Sequence, residues 1–398
     1  MRGGAGGGGR RLGMLFATVL IDLIGFGIVL PILPLYAEGF GAGGFETGLL
    51  VSAYSLVQLV MAPLWGRLSD RVGRRPILIL GLLGSAVAYF IFARADSLAV
   101  LFWSRIIGGI GGSTIPVALA YIADVTPPER RAGKMGLIGA AFGIGFVIGP
   151  LLGGPVLSPL SPGVPTVPGY TAAALCLINA VAAILWLPES RGKDAPTASS
   201  RFDLRAALAR VATSRQILLT LAAYLCITIA FSTLQPTLSP LASERFAMGF
   251  SEAGLLFALL GTVSAIVQGG IVRRLVPRTG ELKLLRASAV PFAAGLALIG
   301  LASETSLLLT GLVLLGIGYG GAIPSVLGLL SRAVEPERQG AVLGVGQSVG
   351  SLARVIGPSM AGYLFDMRLF LPYLAGAVLI AIGTAISAGL RQPRAPDR

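Results

Sequence analysis

Two charged side chains of opposite sign, Asp22 and Arg105, lie deep inside long apolar runs of the sequence. Of the 18 acidic residues, Asp22 alone lies far from the loops and helix ends that we predict. At about 1.5 Å per residue, Asp22 would lie roughly 15 Å from one edge of a membrane and Arg105 roughly 12 Å from the other. A charge at that depth is costly and marks a candidate functional group. We predict that Asp22 pairs with Arg105. Because the chain has no histidine, we also predict that Asp22 is the group that reversibly binds a proton. A static buried ion pair is the alternative.

A second set of polar and aromatic side chains recurs at helical spacing and could line a cavity for a substrate. Arg354 is the other deep charge, and it shares one predicted helix face with Gln347 and Ser351. Pairs of residues four apart occur at Tyr54 and Gln58 and at Phe142 and Phe146. Polar contacts between helices and ordinary aromatic packing are the alternatives for these residues.

Membrane-spanning helices are needed to position these side chains. Hydrophobic residues make up 54% of the 398 residues and charged residues only 12%, about half the charged share of a soluble domain. Apolar runs of roughly 20 residues recur about twelve times, each long enough to cross a hydrocarbon core of ~30 Å. The alternating segments of a transmembrane β-barrel do not occur. We therefore predict an all-α polytopic membrane protein with spans near 12–36, 46–65, 76–94, 97–122, 135–157, 169–188, 214–238, 251–272, 286–302, 305–331, 340–362 and 369–390.

Basic residues are distributed unevenly between the two ends of these predicted spans. Most of the 31 Lys and Arg residues fall in the termini and in the loops after even-numbered spans, whereas Arg94, Arg245 and Arg368 fall on the opposite side. This is the positive-inside pattern for an even number of spans, so we expect both termini in the cytoplasm and the chain in the inner membrane. The formal charge of +13 follows from this topology and gives no reason to expect nucleic acid as a partner.

An internal repeat predicts two similar halves. Residues 128–154 align without a gap with residues 336–362, and Gly149-Pro150 recurs as Gly357-Pro358. Parallel repeats of this kind are typical of transporters built from two six-helix bundles. We therefore predict a disordered tail (1–11), an N-terminal six-helix bundle (12–188), a cytoplasmic linker (189–213), a C-terminal six-helix bundle (214–390) and a C-terminal tail (391–398).

Several short motifs resemble those of one family of membrane proteins. The segment GRLSDRVGRR at 66–75 fits the loop motif G-x-x-x-D-x-x-G-R-[RK], and Arg105 with Gly108 and Gly109 resembles a fourth-helix arginine motif. The antiporter motif of the fifth helix matches Gly145, Gly149, Pro150, Gly153 and Gly154. The segment IDLIGFGIVLPILPLY at 21–36 is similar to the first helix of tetracycline exporters. The whole chain thus resembles the major facilitator superfamily, specifically its twelve-helix drug–proton antiporters.

The resemblance implies a conformational latch at the loop motif. It implies a charge cluster of Asp70, Arg74 and Asp124, with Asp70 facing the N-terminus of a helix near residue 340. A carboxylate there gains about 0.3–1 kcal/mol from the helix dipole. The residues assigned to the latch are Gly66, Asp70, Gly73, Arg74, Asp124 and Arg130. We expect both glycines to allow a tight turn; a passive basic loop is the alternative. The matching segment 273–283 has no equivalent of Asp70, so we expect a latch on one half only.

The sequence as a whole favours a secondary transporter that exports amphipathic drugs, tetracycline-like or of several kinds, in exchange for protons. A proton-coupled importer or exporter of a sugar or organic anion is the main alternative, and a membrane enzyme or receptor is another. No nucleophile–base pair supports an enzyme. GIGYGG at 316–321 lies inside an apolar span with no strand before it, and no Walker motif occurs. We expect no cofactor and no metal, a proton gradient as the energy source, and a monomer in the lipid bilayer.

Overall fold

Helices account for the regular structure in the computed structural model, which describes residues 5–190, 214–334 and 339–390. No strand occurs within those ranges. Eleven helical segments, of 18 to 32 residues, are long and apolar enough to cross a membrane. The predicted all-α polytopic architecture is therefore confirmed.

The described part of the first half contains eight α-helices. They are α1 (Ala5–Val29), α2 (Leu33–Glu38), α3 (Gly44–Val72), α4 (Arg74–Ala93), α5 (Leu98–Gly111), α6 (Ile115–Val125), α7 (Pro128–Leu151) and α8 (Thr166–Trp186). The described part of the second half contains eight more. They are α9 (Arg215–Ser232), α10 (Leu234–Phe246), α11 (Phe250–Ile266), α12 (Arg273–Thr279), α13 (Glu281–Leu301), α14 (Thr305–Arg332), α15 (Gln339–Met367) and α16 (Leu371–Ala388).

Helix α15 is the remaining predicted span. Its 29 residues are enough to cross a membrane, yet it is not among the eleven segments that also meet the requirement for apolar composition. Gln347, Ser348, Ser351 and Arg354 interrupt its apolar sequence. With α15 included, all twelve predicted spans are helical.

Several spans bend where proline or glycine interrupts the regular helix. The first predicted span is divided into α1 and α2 by a turn at residues 30–32, which contains Pro31. A tight 3₁₀ turn, Gly112–Thr114, joins α5 to α6. Helix α7 contains Pro150 and continues as a widened π turn at Leu152–Leu157. Proline lacks an N–H and clashes with the carbonyl of the preceding turn. Pro31 thus explains the break between α1 and α2, and Pro150 explains the irregular turn that follows α7.

The described residues form two compact units. Unit 1 comprises residues 5–42, 53–190 and 248–258. Unit 2 comprises residues 43–52, 214–247, 259–334 and 339–390. The units differ from the predicted bundles at two places, and the bundle boundaries stay a prediction. The start of α3 belongs by its contacts to unit 2, and the start of α11 belongs to unit 1.

The repeated Gly-Pro pair explains these two differences. In unit 2, a β-carbon at Gly48 would overlap the Pro358 carbonyl. In unit 1, a β-carbon at Gly254 would lie 2.5 Å from the Pro150 carbonyl oxygen. Each glycine thus allows the start of one helix to pack closely against the proline-containing turn of another. The repeat predicted equivalent halves, but it contained no information about which helix ends meet these turns.

An acidic side chain fixes the start of α3 within unit 2. The Asp366 carboxylate accepts the backbone N–H groups of Gly44 and Phe45 at 2.6 and 2.8 Å. It therefore satisfies two of the unpaired donors at the positive end of a helix dipole. The sequence analysis missed this cap because Asp366 is more than 300 residues away from α3.

The predicted tails and linker differ in how much of them the structure describes. Helix α1 begins at Ala5, inside the segment 1–11 that was predicted to be disordered. Propagating an existing helix costs far less than nucleating one, so even a glycine-rich segment can extend it. Residues 1–4, the linker residues 191–213 and the predicted C-terminal tail 391–398 lie outside the described residues.

Candidate functional site

Asp22 is partly exposed and lies on helix α1, seven residues before the helix ends at Val29. The Cys176 thiol on α8 lies 3.8 Å from Asp22 Oδ1 as a long hydrogen-bond donor, and the Ser85 side chain on α4 also hydrogen-bonds to Asp22. Cys176 and Ser85 are both buried. Three helices of unit 1 therefore meet at a carboxylate whose hydrogen-bond partners are neutral.

Arg105 on α5 is held separately from Asp22. It is 3% exposed, and its Cζ lies 5.6 Å from the ring centroid of Phe92 and 6.0 Å from that of Tyr54. Its Nη2 atom has no hydrogen-bond partner among the described residues. The guanidinium is thus stabilised mainly by two aromatic faces.

The predicted Asp22–Arg105 ion pair does not form in this structure, since neither residue takes part in an ion pair within the described part of the chain. Tyr89 on α4, which is 4% exposed, lies within electrostatic range of both charges. Equal depth along two helices was not sufficient, because the direction in which each side chain points depends on packing.

The antiporter motif on α7 packs against α1 close to Asp22. A β-carbon at Gly145 would lie 2.8 Å from Leu23 Cβ, and one at Gly149 would lie 2.5 Å from Gly27 Cα. A β-carbon at Gly153 would overlap the next turn of α1. The motif glycines thus bring the backbones of two helices into contact just after the carboxylate. Gly154, the last motif residue, instead meets the start of α11.

The aromatic candidates of unit 1 form one group around Phe26. The Phe26 ring centroid lies 5.3 Å from that of Tyr54 and 6.0 Å from that of Phe146, and Phe142 lies 6.4 Å beyond Phe146. The Gln58 amide donates to a carbonyl of the tight turn between α5 and α6 at 2.9 Å and lies 3.3 Å from Tyr54 Oη. The sequence analysis missed Phe26, although its place one turn after Asp22 was a usable signal.

The candidates of unit 2 centre on Arg354 in α15. Arg354 Nη2 donates to Ser351 Oγ at 3.1 Å, whereas Gln347, two turns earlier in the helix, is exposed. Tyr319 on α14 lies within electrostatic range of Arg354, and its ring stacks on Phe231 with centroids 3.6 Å apart. No sequence motif pointed to these two aromatic residues, because they lie on different helices.

The charge cluster implied at the loop motif is present in unit 1. Arg74 Nη2 lies 2.7 Å from Asp70 Oδ1, and Arg74 Nε lies 3.1 Å from Asp124 Oδ2. Arg74 Nη1 also donates to Ser69 Oγ at 2.6 Å. Arg130 is exposed at the start of α7 and has no ion pair within the described part of the chain. The helix start near residue 340, the implied partner of Asp70, adjoins residues 335–338 outside the described chain, so the latch stays a prediction.

The turn in this motif needs one glycine, not the two that we predicted. Gly66 lies inside α3, which continues to Val72, and a β-carbon there would have nothing within 4 Å. Gly73 alone adopts a positive φ, of 104°. A single residue in that conformation is enough to separate α3 from α4.

Glu189 caps the helix that follows this turn. Its carboxylate accepts the N–H groups of Arg74 and of the next residue at 2.9 and 3.2 Å, and the neighbouring Ser190 hydroxyl donates to Asp124 Oδ2 at 2.9 Å. The beginning of the linker is thereby attached to the loop motif. The position of Glu189 was a usable signal. An acid just beyond the negative end of α8 is unfavourable there unless it caps the start of another helix.

Unit 2 contains the matching ion pair with its charges exchanged. Glu281 Oε1 lies 2.8 Å from Arg332 Nε, and Gly280 precedes α13 with φ 78°, as Gly73 precedes α4. Glu281 begins α13 as Arg74 begins α4, and the repeat places Arg332 where unit 1 has Asp124. The second loop lacks Asp70, but it keeps the ion pair between the same two helix ends. Comparison by residue type missed this pair, because both charges are reversed.

Known proteins match nearly the whole chain. The sequence profile of the Major Facilitator Superfamily matches residues 15–358. Tetracycline resistance protein, class H, of Pasteurella multocida is 30% identical over 379 residues, which cover 93% of each chain. Multidrug resistance protein 2 of Bacillus subtilis (strain 168) is 27% identical over 386 residues, covering 94% of this chain and 93% of that protein.

A solved structure gives the same answer for the fold. The crystal structure of the human organic anion transporter MFSD10 (TETRAN) matches with a TM-score of 0.72 and 26% identity, covering 96% of this chain and all of that one. Since the profile and the shared fold both extend over most of its length, the chain belongs to the major facilitator superfamily of multi-pass membrane transporters.

Proposed function

We propose that this transporter exports amphipathic drugs in exchange for protons by alternating access, with its basic end and both termini in the cytoplasm. The observation that carries the proposal is Asp22, the one acidic residue near the middle of a span in the described ranges. Relatives named for tetracycline resistance and multidrug resistance support an exporter.

The neighbours of Asp22 suit a group that gains and loses a proton. Ser85 and Cys176 can donate hydrogen bonds to the charged carboxylate, and a protonated carboxyl can donate one in return to the serine hydroxyl. A charged Asp22 is costly in a membrane interior, so protonation changes the relative energies of conformations that differ in its exposure to water. Because the glycines of α7 pack directly on α1, a displacement of α1 is transmitted to α7 by contact.

Transport in proteoliposomes with an imposed pH gradient tests this proposal. Purified wild-type protein should accumulate tetracycline against its concentration gradient, and collapsing the pH gradient should stop it. Asp22→Asn should abolish this accumulation while leaving the binding of tetracycline within about twofold of wild type, because it removes only the titratable group. Asp96→Asn, which changes an exposed acid outside the spans, is the matched control and should transport normally. Full gradient-driven accumulation by Asp22→Asn would refute proton coupling through Asp22.

A second candidate is the transport of an organic anion in exchange for protons. It is favoured by Arg354, a cation inside a predicted span that has no acidic partner among the described residues. One structural relative is titled an organic anion transporter. The same proteoliposomes distinguish the two candidates when an aromatic carboxylate replaces tetracycline, since only an anion transporter should accumulate it.

A further inference from the structure

Arg354 lies at the middle of α15 with few partners. It is the sixteenth of the 29 residues of the helix, so it lies about 22 Å from the start of the helix at 1.5 Å per residue. Within the described chain no carboxylate is at ion-pair distance, and Arg354 Nη2 donates a hydrogen bond to Ser351 Oγ. A guanidinium has five N–H donors, so most of its hydrogen-bonding capacity is available.

Two other arginines near the ends of spans in unit 2 have structural roles. Arg245 Nη1 donates to the carbonyls of Gly300 and Ala302 at 2.8 and 2.9 Å, at the end of α13. Arg286 Nη2 donates to the Ser387 carbonyl at 2.5 Å, at the end of α16. Both cations thus satisfy carbonyls at the negative ends of helix dipoles. Arg354 is far from any helix end and has no such role.

The charges in the middle of the spans favour anions. In unit 2, the described residues place Arg354 there and no acid. A cationic substrate would be repelled, whereas an anion would supply the counter-charge that the chain does not.

A pair of stacked aromatic rings lies in the same unit as this cation. Phe231 and Tyr319 stack with an interplanar angle of 10°, both are partly exposed, and Tyr319 is within electrostatic range of Arg354. The repeat places Phe146 at the position of Arg354 in unit 1. The equivalent positions therefore differ in charge, with a cation in unit 2 and a phenyl ring in unit 1.

We propose that Arg354 binds the anionic group of an aromatic, amphipathic substrate, while Tyr319 and Phe231 contact its apolar ring. This inference rests on the second candidate of the proposed function, the transport of an organic anion in exchange for protons, and narrows its substrate class to aromatic organic anions, such as carboxylates or enolates. The planar guanidinium matches a carboxylate with two parallel hydrogen bonds.

Binding of three probes to the purified full-length protein, without any gradient, tests the site. The probes are naphthalene-2-carboxylate, its neutral methyl ester and the cationic naphthalen-2-ylmethylammonium. Isothermal titration should show the wild type binding the carboxylate more tightly than the other two. Arg354→Gln should weaken binding of the carboxylate by about tenfold or more and change binding of the ester by less than about twofold. Arg354→Lys should lie between, because it keeps the charge and loses the planar fork.

Matched variants separate this site from general effects. Arg368→Gln removes the same charge from an exposed position just beyond α15 and should leave the binding of all probes unchanged. Equal loss of carboxylate and ester binding in Arg354→Gln would show a structural role and overturn the proposal. Equal wild-type affinity for the three probes, or no binding of any of them, would also overturn it. If Arg354→Gln does not fold, the ratio of carboxylate affinity to ester affinity is measured for Arg354→Lys instead. A ratio below that of wild type supports the proposal, and an unchanged ratio overturns it.

The proposed function can fail independently of the site. Asp22→Asn should bind naphthalene-2-carboxylate as wild type does, because no proton gradient is involved. A protein that binds the carboxylate through Arg354 but moves no proton would refute antiport and leave the site. Proton-driven transport by a protein that binds the carboxylate no more tightly than the ester would refute the anion site and leave antiport standing.

Discussion

Gly73 determines both the turn before α4 and the cap on that helix. Its φ of 104° is a conformation that side chains with a β-carbon rarely adopt. A β-carbon there would also overlap Glu189 Oε2, which belongs to the carboxylate that caps α4. One residue thus links the loop motif to the beginning of the linker.

Two glycines of the same motif should respond in opposite ways to alanine. Gly73→Ala should destabilise the protein by about 1–2 kcal/mol through backbone strain, and further through displacement of Glu189. Gly66→Ala lies within α3 with open space around it, so it should be neutral or stabilising by up to about 1 kcal/mol. Thermal unfolding of the purified variants measures both. Equal destabilisation by the two changes would contradict the assignment of the turn to Gly73.

Individual site residues were only partly predictable from sequence. The depth of Asp22 and Arg105 followed from their positions along apolar runs, but their predicted pairing was wrong. Sequence position fixes the height of a side chain in a helix, whereas its direction depends on how neighbouring helices pack. The rings of Phe92 and Tyr54 that flank Arg105, and the donors Ser85 and Cys176 at Asp22, come from other helices.

Helix ends in the two units are joined by the same kind of ion pair with opposite polarity. The Glu281 side chain is 6% exposed and that of Arg332 is 50% exposed. In unit 1 the arginine is the more buried partner, at 10% for Arg74 and 28% for Asp124. The buried member of each pair therefore lies at the start of a helix, α4 or α13.

This asymmetry predicts unequal costs for removing either partner in unit 2. Arg332→Gln leaves a buried carboxylate without its cation and should cost about 1–3 kcal/mol. Glu281→Gln leaves a half-exposed arginine that water can solvate, so it should cost less than about 1 kcal/mol. Melting temperatures of the two variants compare these effects, and the exchange variant with Glu281→Arg and Arg332→Glu should recover part of the loss. A larger cost for Glu281→Gln would contradict the prediction.

Spans were more predictable than their irregularities. A run of about 20 apolar residues is sufficient to predict a membrane helix, and α15 was found in spite of its polar residues because the repeat supported it. The π turn at Leu152–Leu157 and the membership of residues 43–52 in unit 2 were not predicted. The π turn follows Pro150 directly, whereas the unit of residues 43–52 depends on contacts between distant segments.

The two units share a backbone plan and differ in chemistry. Unit 1 contains Asp22 and the glycine-rich contact between α1 and α7, whereas unit 2 contains Arg354 and a pair of stacked aromatic rings. The repeat predicted the common plan. It also showed that Phe146 and Arg354 occupy equivalent positions, which is where the halves have diverged in charge.

Asp22, the one carboxylate far from the span ends among the described residues, limits the charge that one transport cycle can move. If Asp22 admits one proton while one monovalent anion leaves, two elementary charges cross the membrane per cycle. Each contributes about 2.3 kcal/mol per 100 mV, so a potential of 100 mV, negative inside, would support roughly 3.4 decades of anion gradient at about 1.4 kcal/mol per decade.

The membrane potential can be clamped with valinomycin and potassium while the flux of naphthalene-2-carboxylate is followed. This experiment measures the slope, which is the number of decades of anion gradient supported per 100 mV. A slope near 1.7 decades per 100 mV would mean that a single charge crosses per cycle. A flux that does not depend on potential would mean that the exchange is electrically silent. Either result would contradict a one-proton, one-anion cycle. This transporter should therefore be electrogenic, and in a cell its export rate should follow the membrane potential more steeply than the pH difference.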